Sequence, residues 1–308
     1  MLKLRAAASP FAAIERERWR QLGGNGATGL AYDELAGLSG LGEPVAVDEV
    51  NDVYVPLARL LALRIEAAHA LSDAQGEFLG ESHRVPYLIA LGGSVAVGKS
   101  TAARLVVRLL QSLRPDWRVE LVTTDGFLLP NATLIERDIL ARKGFPESYD
   151  RRALLRFVAD LKSGVEELRV PLYSHLTYDV LDETQLVRSP DVLVLEGVNV
   201  LQRGSGRVYV SDFVDFALYL DAEEEDVKRW YLSRFLKLRN GAFQRPESYF
   251  HRYAQLSDEE AVAVATGIWE RTNRPNLLNN IQPTRPRADV ILEKGPDHFV
   301  SRVLLRRV

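Results

Sequence analysis

The fold is decided by the stretch Gly93-Ser94-Val95-Ala96-Val97-Gly98-Lys99-Ser100-Thr101. Its pattern of glycine, four residues, glycine, lysine and serine is the phosphate-binding loop. The glycines permit a sharp turn and leave backbone N–H groups open to a phosphate, and the next helix adds its positive end. Lys99 can reach the outer phosphates, and the Ser100 hydroxyl can ligate the magnesium that accompanies them. The stretch therefore predicts binding of nucleotide phosphates.

The residues on either side of the loop have the patterns that this motif requires. The apolar run from Tyr87 to Leu91 follows Pro86 and is typical of a buried strand. After the loop, apolar residues recur at helical spacing at positions 103, 105, 106, 109, 110 and 113. The order strand, glycine loop, helix is the order found around phosphate-binding loops.

Composition excludes several classes of function. The 308 residues carry 39 Lys and Arg against 42 Asp and Glu, a net charge of −3, so no basic field predicts nucleic-acid binding. The chain has no cysteine, which excludes disulfides and thiol catalysis and favours a reducing compartment. No apolar run approaches the length of a membrane span, and the N-terminus lacks the apolar region of a cleaved signal. We expect a cytoplasmic protein.

The patterns predict one α/β domain over 1–308 with a helical N-terminal extension. A helix is expected to begin at Ser9-Pro10 and a longer one to run from Val47 towards Leu79, so residues 1–85 are expected to pack as helices on the core. From Tyr87 onward, strands and helices alternate, which favours a mostly parallel sheet flanked by helices. Strands are predicted at 119–123, 192–196, 213–220, 290–293 and 300–305, and helices at 152–162, 224–239 and 258–270.

Two acidic residues follow predicted strands, at the sheet edge where ligands of α/β proteins bind. Asp125 comes just after the strand at 119–123, in a turn with Gly126, and Glu196 ends the strand at 192–196. Either carboxylate could hold magnesium through water or accept a proton from an attacking hydroxyl. The alternative for each is a role as a helix cap or turn residue.

Three further segments carry polar or aromatic groups suited to a small substrate. The first, Tyr173 to Asp179, is a dense polar loop that includes His175. The second places Arg234 on a helical stripe with Tyr231, Phe235 and Leu238, where a buried arginine requires an anion or an internal salt bridge. The third, residues 241–253, concentrates aromatic residues, among them Phe243, Tyr249 and Phe250, that could line a pocket or simply pack in the core.

Together these segments resemble the prokaryotic type I pantothenate kinases, P-loop kinases that begin coenzyme A synthesis. The resemblance covers roughly residues 45–308 and is not visible in the first 45 residues. It implies the P-loop kinase fold, a homodimer, and ATP with Mg²⁺ as the phosphoryl donor. The motifs that carry it, besides the phosphate-binding loop, are Thr123–Phe127, Lys143–Asp150, Tyr173–Asp179, Leu195–Leu201, Arg234–Lys237, Ser248–His251 and Asn280–Arg285.

The resemblance also implies roles for individual residues. Asp125 matches the general base facing the primary hydroxyl of pantothenate, and Lys99 and Arg234 match residues that stabilise the transferred phosphoryl group. Ser100 and Glu196 are expected to hold the metal. The residues expected to bind pantothenate are Tyr173, His175, Tyr231, Arg234, Tyr249 and Asn273.

The family is inhibited by coenzyme A, which competes with ATP. The matching contacts here are Lys99, Arg104 and His175 for the polar part of coenzyme A, and Phe235, Phe243 and Phe250 for its pantetheine arm. Leu238 stands where some members have an aromatic residue, so the strength and acyl preference of this inhibition are open.

Two other functions compete with this interpretation. A uridine kinase or phosphoribulokinase has a similar build, but its substrate carries a base or a phosphate and would require different pocket groups. A nucleotide-gated binding module without transfer chemistry is a different class of protein. The presence of Asp125 disfavours this alternative, because a switch needs no base aimed at a substrate hydroxyl.

Overall fold

A seven-stranded sheet forms the centre of the computed structural model, which describes residues 9–24, 37–38, 45–80, 85–203 and 208–307. A separate antiparallel hairpin consists of the strands β4 and β5. In chain order, the strands are β1 (Phe11–Glu15), β2 (Tyr87–Gly93), β3 (Val119–Thr123), β4 (Glu167–Ser174), β5 (Asp179–Arg188), β6 (Val192–Glu196), β7 (Phe216–Asp221), β8 (Val290–Lys294) and β9 (Val300–Arg306).

The sheet has the order β1-β9-β8-β7-β2-β6-β3. The strands β3, β6, β2, β7 and β8 run parallel, as predicted, whereas β9 and β1 add an antiparallel edge. All the carboxyl ends of the parallel strands therefore lie along one edge of the sheet.

Helices cover both faces of the sheet. Among the described helices, none combines the length and apolarity needed to cross a bilayer. In chain order, they are α1 (Arg16–Leu22), α2 (Val55–Leu79, preceded without a break by the turns Val47–Glu49 and Val50–Tyr54), α3 (Lys99–Leu113), α4 (Asn131–Glu136), α5 (Arg151–Lys162), α6 (Glu224–Asn240), α7 (Asp258–Ile268) and α8 (Arg274–Asn276).

Alternation along β2 divides the core into two layers. Ile89 and Leu91 pack with α2 and α3, and Leu88 and Ala90 pack with α5 on the opposite face. All four side chains are fully buried. A third, smaller cluster joins α6 and α7 through Phe235, Phe243, Ala261 and Ala265. This arrangement holds β2, and with it the phosphate-binding loop, in the middle of the molecule.

The structure confirms most predicted elements and corrects three. The predicted helix beginning at Ser9-Pro10 is wrong, because the chain forms β1 and pairs antiparallel with β9 before α1 begins. The strand predicted at 213–220 begins only at Phe216. The polar segment from Tyr173 to Asp179 is not wholly a loop, since its ends belong to β4 and β5.

The N-terminal extension is thus helical in Val47–Leu79, as expected, but it also supplies a strand to the central sheet. The strand was missed because its partner, β9, lies almost 300 residues away in the sequence. Most of residues 1–44, which were also assigned to the extension, lie outside the described residues.

Candidate active site

The phosphate-binding loop leaves β2 at Gly93 and enters α3 at Lys99. Gly93 has a φ of 141°, and a Cβ there would lie 2.6 Å from the Leu220 carbonyl oxygen. Ala96 has a φ of 58° and Gly98 a φ of 94°, both in the left-handed region. The backbone therefore makes the tight turn that the glycine pattern predicts, with little space for side chains inside it.

Lys99 is buried at the start of α3 and is held by two oxygen atoms. Its Nζ donates to the Ser94 carbonyl at 2.8 Å and lies 3.8 Å from Glu196 Oε1. Burial raises the pKa of Glu196, and the Lys99 ammonium acts in the opposite direction. The hydroxyl of Ser94 is also buried, and no partner for it is found within the described chain. The loop thus contains a positive charge and an unsatisfied polar atom that a phosphate could engage.

Asp125 lies in the turn Thr124–Phe127, immediately after β3. The residue after it, Gly126, allows the β4–β5 hairpin to approach, because a Cβ at that position would lie 1.9 Å from the Pro171 carbonyl oxygen. This close approach brings Tyr173 of β4 to the same cavity as Asp125.

A cavity of about 340 Å³ opens beside the phosphate-binding loop, and we call it the loop cavity. It gathers predicted site residues from segments far apart in the sequence. They include Lys99, Ser100, Asp125, Tyr173, His175, Glu196, Tyr231, Arg234 and Asn273.

The predicted stripe of α6 faces this cavity. Tyr231, Arg234, Phe235 and Leu238 all line it, so the side of α6 that carries Arg234 faces the cavity. The Tyr231 hydroxyl bonds with the side chain of Asn273, while burial raises the pKa of Tyr231 to about 12. A neutral hydroxyl and an amide are thereby held together as a polar pair in the wall.

Aromatic side chains close the far side of the loop cavity. The Phe243 and Phe250 rings lie 5.1 Å apart, and Phe250 also meets Tyr178 edge-on at 4.8 Å. Phe235 packs edge-on against Phe243 at 5.4 Å. The cavity therefore has a charged end at the phosphate-binding loop and an apolar end at this aromatic wall.

His175 lies among the charged groups of the cavity. Burial lowers its pKa below the usual range, the Asp125 carboxylate opposes that shift, and Arg234 and Lys99 reinforce it. The imidazole is consequently neutral near pH 7 and can donate or accept one hydrogen bond without adding charge.

Lys143 is a cavity residue to which no role was assigned from the sequence. Its Nζ donates to Asn131 Oδ1 at 2.6 Å and lies 4.2 Å from the centre of the Tyr178 ring. Burial lowers the pKa of Lys143 to about 8, although Asp179 and Asp125 favour its charged form. The ammonium thus places a positive charge near Asp125, in a cavity that Lys99 and Arg234 also line.

Tyr249 and Arg104, to which site roles were also assigned, do not line the cavity. Tyr249 packs behind Tyr178, with ring centres 5.1 Å apart, so it supports the wall rather than lining it. Arg104 points from α3 to the Leu38 carbonyl, to which its Nε donates at 2.9 Å. Its charge still reaches Glu196, whose pKa it lowers.

Other lining residues were not assigned a site role from the sequence. Lys143 and Tyr149 belong to the motif Lys143–Asp150, and Tyr178 belongs to the motif Tyr173–Asp179. The sequence therefore marked these segments as important but did not assign roles to the individual residues. Asn276 had a weaker signal, since it follows Asn273 by about one helical turn.

Ser100 and Glu196 form a donor set suited to magnesium. The Ser100 hydroxyl donates to Glu196 Oε2 at 3.1 Å, which places two hard oxygen ligands side by side at the cavity. No cluster of three or more acidic, histidine or cysteine side chains suited to a metal is found among the described residues. Such a pair still fits Mg²⁺, which commonly takes only one or two protein ligands and completes its shell with phosphate and water.

Comparisons with known proteins identify the family. A sequence profile of the Phosphoribulokinase / Uridine kinase family matches residues 88–244. The pantothenate kinase of Myxococcus xanthus is 53% identical over 306 residues, which are 97% of this chain and 96% of that protein. The pantothenate kinase of Rhodococcus jostii is 50% identical over 304 residues, 97% of this chain and 98% of that protein.

A solved structure supports the fold. The chain described as a putative fructose transport system kinase from Silicibacter sp. TM1040 aligns with a TM-score of 0.52 at 24% identity. The alignment covers 71% of this chain and 93% of that one. At this level of identity, the likeness concerns the arrangement of the sheet and helices alone.

The position of Lys143 predicts an unusual titration. With lysine labelled at Cε, one NMR resonance should titrate near pH 8, because burial disfavours the charged ammonium, and Lys143→Arg should remove that resonance. Lys228→Arg is the matched control, since Lys228 is paired with Glu270 at the surface and its replacement should leave the resonance near pH 8 in place. The absence of any resonance that titrates near pH 8 and disappears in Lys143→Arg would contradict the environment described.

Proposed function

Because the chain belongs to the pantothenate kinases within the Phosphoribulokinase / Uridine kinase family, we propose that it phosphorylates pantothenate with ATP. The product is 4′-phosphopantothenate, and the reaction is the first step of coenzyme A biosynthesis. One observation carries the proposal. The phosphate-binding loop, Asp125 and a set of neutral polar groups, among them Tyr173 and Asn273, line one cavity.

The phosphate-binding loop holds the triphosphate. Its backbone N–H groups and Lys99 bind the outer phosphates, and the transferred group faces the loop cavity. Ser100 and Glu196 would hold Mg²⁺, directly or through water. The bound ion would offset the negative charge of the phosphate oxygens. A cation there also stabilises the ionised form of Glu196, whose burial otherwise favours its protonated form.

Asp125 and Arg234 act on the reacting atoms. Asp125 accepts the proton of the primary hydroxyl while the hydroxyl oxygen bonds to the γ-phosphorus of ATP. The bond from that phosphorus to the bridging oxygen of ADP breaks at the same time. Arg234 lies across the cavity on α6, where its charge stabilises the equatorial oxygens of the transferred group.

The polar groups of the cavity match pantothenate better than the rival substrates. Pantothenate has one carboxylate, two hydroxyls, an amide and a pair of methyl groups on one carbon. The pair Tyr231–Asn273, with Tyr173 and neutral His175, offers hydrogen bonds to the polar groups, and the aromatic wall accepts the methyl groups. A ribulose phosphate would bring a second phosphate, which these neutral groups would hold weakly.

A substrate panel tests the proposed function. ADP release should be measured with pantothenate, uridine and ribulose 5-phosphate side by side under identical conditions. We expect turnover with pantothenate alone. Turnover confined to uridine or ribulose 5-phosphate would establish a rival kinase, and nucleotide binding without turnover of any substrate would favour a binding module.

Replacing Lys99 tests the phosphate-binding loop. Lys99→Met should fold but lose affinity for ATP and coenzyme A together, because both ligands place phosphates on this ammonium. Calorimetry with each ligand measures the effect, and thermal unfolding serves as the control for folding. Wild-type ATP affinity in a folded Lys99→Met protein would exclude the assigned role.

Replacing Asp125 separates chemistry from nucleotide binding. Asp125→Asn should lower kcat by about 10²-fold or more, since the amide cannot accept the substrate proton. ATP affinity should be nearly unchanged, because the phosphate-binding loop is intact. If kcat stays near the wild-type value, Asp125 is a turn residue and Glu196 becomes the candidate base.

We further propose feedback inhibition by coenzyme A, competitive with ATP. Lys99, Arg104 and His175 are the polar contacts, and the aromatic wall of Phe235, Phe243 and Phe250 holds the pantetheine arm. Arg104 supports this role by its position on α3, one turn after Ser100, where a phosphate beyond the loop would meet it.

The Arg104 contact can be tested without disturbing catalysis. Arg104→Ala should raise the coenzyme A concentration for half inhibition by about tenfold, the effect of losing one charge-assisted contact, with a modest change in the KM for ATP. Arg108→Ala, one turn further along α3, is the matched control and should leave the inhibition curve unchanged. Superimposable curves for Arg104→Ala and wild type would remove Arg104 from the inhibitor site.

We also propose that two copies form a homodimer through α2, and that the protein acts in the cytoplasm. The solvent-facing side of α2 carries exposed apolar residues, among them Leu63, Leu71 and Phe78. A second copy of the same helix would bury this stripe. Light scattering should give a dimer for the wild type and a monomer for Leu71→Glu/Phe78→Glu, and a wild-type monomer would contradict this interface.

A further inference from the structure

A second cavity, of about 550 Å³, lies on the other side of Tyr149 from the loop cavity, and that buried side chain lines both. It is formed by the start of α5, the segment after β6 and the turn Gln282–Arg287. Four arginines line it, and we call it the arginine cavity. They are Arg151, Arg152, Arg203 and Arg287.

The arginine cavity has more positive than negative charge. Asp212 lies 3.6 Å from Arg203, but in the part of the chain that the structure describes no carboxylate forms an ion pair with Arg151, Arg152 or Arg287. Burial and the neighbouring Arg203 lower the pKa of Arg287, and Asp212 only partly offsets this. Close, weakly compensated guanidinium groups are stabilised by a bound anion.

The positions of Arg151 and Arg152 add to this imbalance. They are the first two residues of α5, at the positive end of a twelve-residue helix, where the helix dipole disfavours cations. The side chain of Asp150 caps the helix by accepting from the Arg152 and Ala153 N–H groups, so it is already engaged with the backbone. An anion in the arginine cavity would relieve both the repulsion between Arg203 and Arg287 and the conflict of Arg151 and Arg152 with the dipole.

The remaining walls indicate an organic ligand. Leu154, Leu155, Val208 and Val210 provide apolar surface. The amide side chains are fixed in advance, because Gln202 Nε2 donates to Asn199 Oδ1 at 2.7 Å and Asn199 Nδ2 donates to the Gly144 carbonyl at 3.0 Å. A cavity with a cationic end, oriented amides and apolar walls suits a small molecule that joins a phosphate to an apolar body.

We propose that the arginine cavity is a second ligand site, which binds a small organic phosphate ester. It is separate from the site of phosphoryl transfer, since it contains neither the phosphate-binding loop nor Asp125. The site also accounts for residues of three sequence motifs that the proposed reaction leaves without a role, namely those in Lys143–Asp150, Leu195–Leu201 and Asn280–Arg285.

Calorimetry with phenyl phosphate tests the site independently of catalysis. Titrations use the full-length Lys99→Met protein, which weakens competing binding at the phosphate-binding loop. Arg203→Gln/Arg287→Gln should weaken phenyl phosphate binding by about tenfold or more, because each guanidinium contributes a charge-assisted contact. Arg188→Gln, which alters an ion pair with Glu167 away from both cavities, is the matched control and should bind as tightly as its parent.

A second variant guards against a folding defect. Arg287 also donates to the Leu201 carbonyl, so its replacement removes a tertiary contact. Arg151 and Arg152 are exposed, and Arg151→Gln/Arg152→Gln should weaken binding in a stably folded protein. Equal affinity in the parent and both arginine variants, or no measurable binding to the parent, would overturn the proposal. Benzoate bound as tightly as phenyl phosphate would overturn the assignment to phosphate esters.

Discussion

The parallel register of three strands is the constraint on which the rest of the site depends. Glu196 of β6 lies opposite Leu91 of β2 on one side and Thr123 of β3 on the other. The phosphate-binding loop begins two residues after Leu91, and Asp125 lies two residues after Thr123. A shift of one residue in either pairing would turn the side chains to the opposite face and separate these groups.

The charges brought together at this edge balance only in part. Lys99 and Glu196 are both buried and stabilise one another, and His175 is neutral because burial and two nearby cations lower its pKa. Burial lowers the pKa of Lys143 to about 8, so its ammonium loses a proton more readily than that of an exposed lysine. The cations at this edge of the sheet suit the phosphates of a nucleotide.

Local patterns in the sequence were sufficient for the centre of the fold. The strands at 119–123 and 192–196 have the predicted bounds, and the phosphate-binding loop connects β2 to α3 as expected. These elements are determined by apolar periodicity and glycine placement, which act over short distances. The edge strand β1 depends on a partner that is distant in the sequence, which no local pattern reveals. The β4–β5 hairpin has a weak local signal, the alternation of polar and apolar residues at the start of β4.

The site was predictable to a similar degree. The residues that follow strands, such as Asp125 and Glu196, could be placed because the carboxyl ends of parallel strands share an edge. Lys143 could not, since it reaches the cavity from an irregular segment anchored to Asn131 and the Tyr178 carbonyl. The role of Tyr249 stays a prediction, because aromatic composition does not distinguish a residue of the cavity wall from one that packs behind it, and Tyr249 packs against Tyr178.

The most direct test of the central claim is a crystal structure with pantothenate and a non-hydrolysable ATP analogue bound together. We predict the γ-phosphate on the phosphate-binding loop beside Lys99, and the primary hydroxyl of pantothenate about 3 Å from Asp125. The carboxylate end of pantothenate should lie among Tyr173, Tyr231 and Asn273. Pantothenate bound outside the loop cavity, or with its hydroxyl turned away from Asp125, would contradict the account.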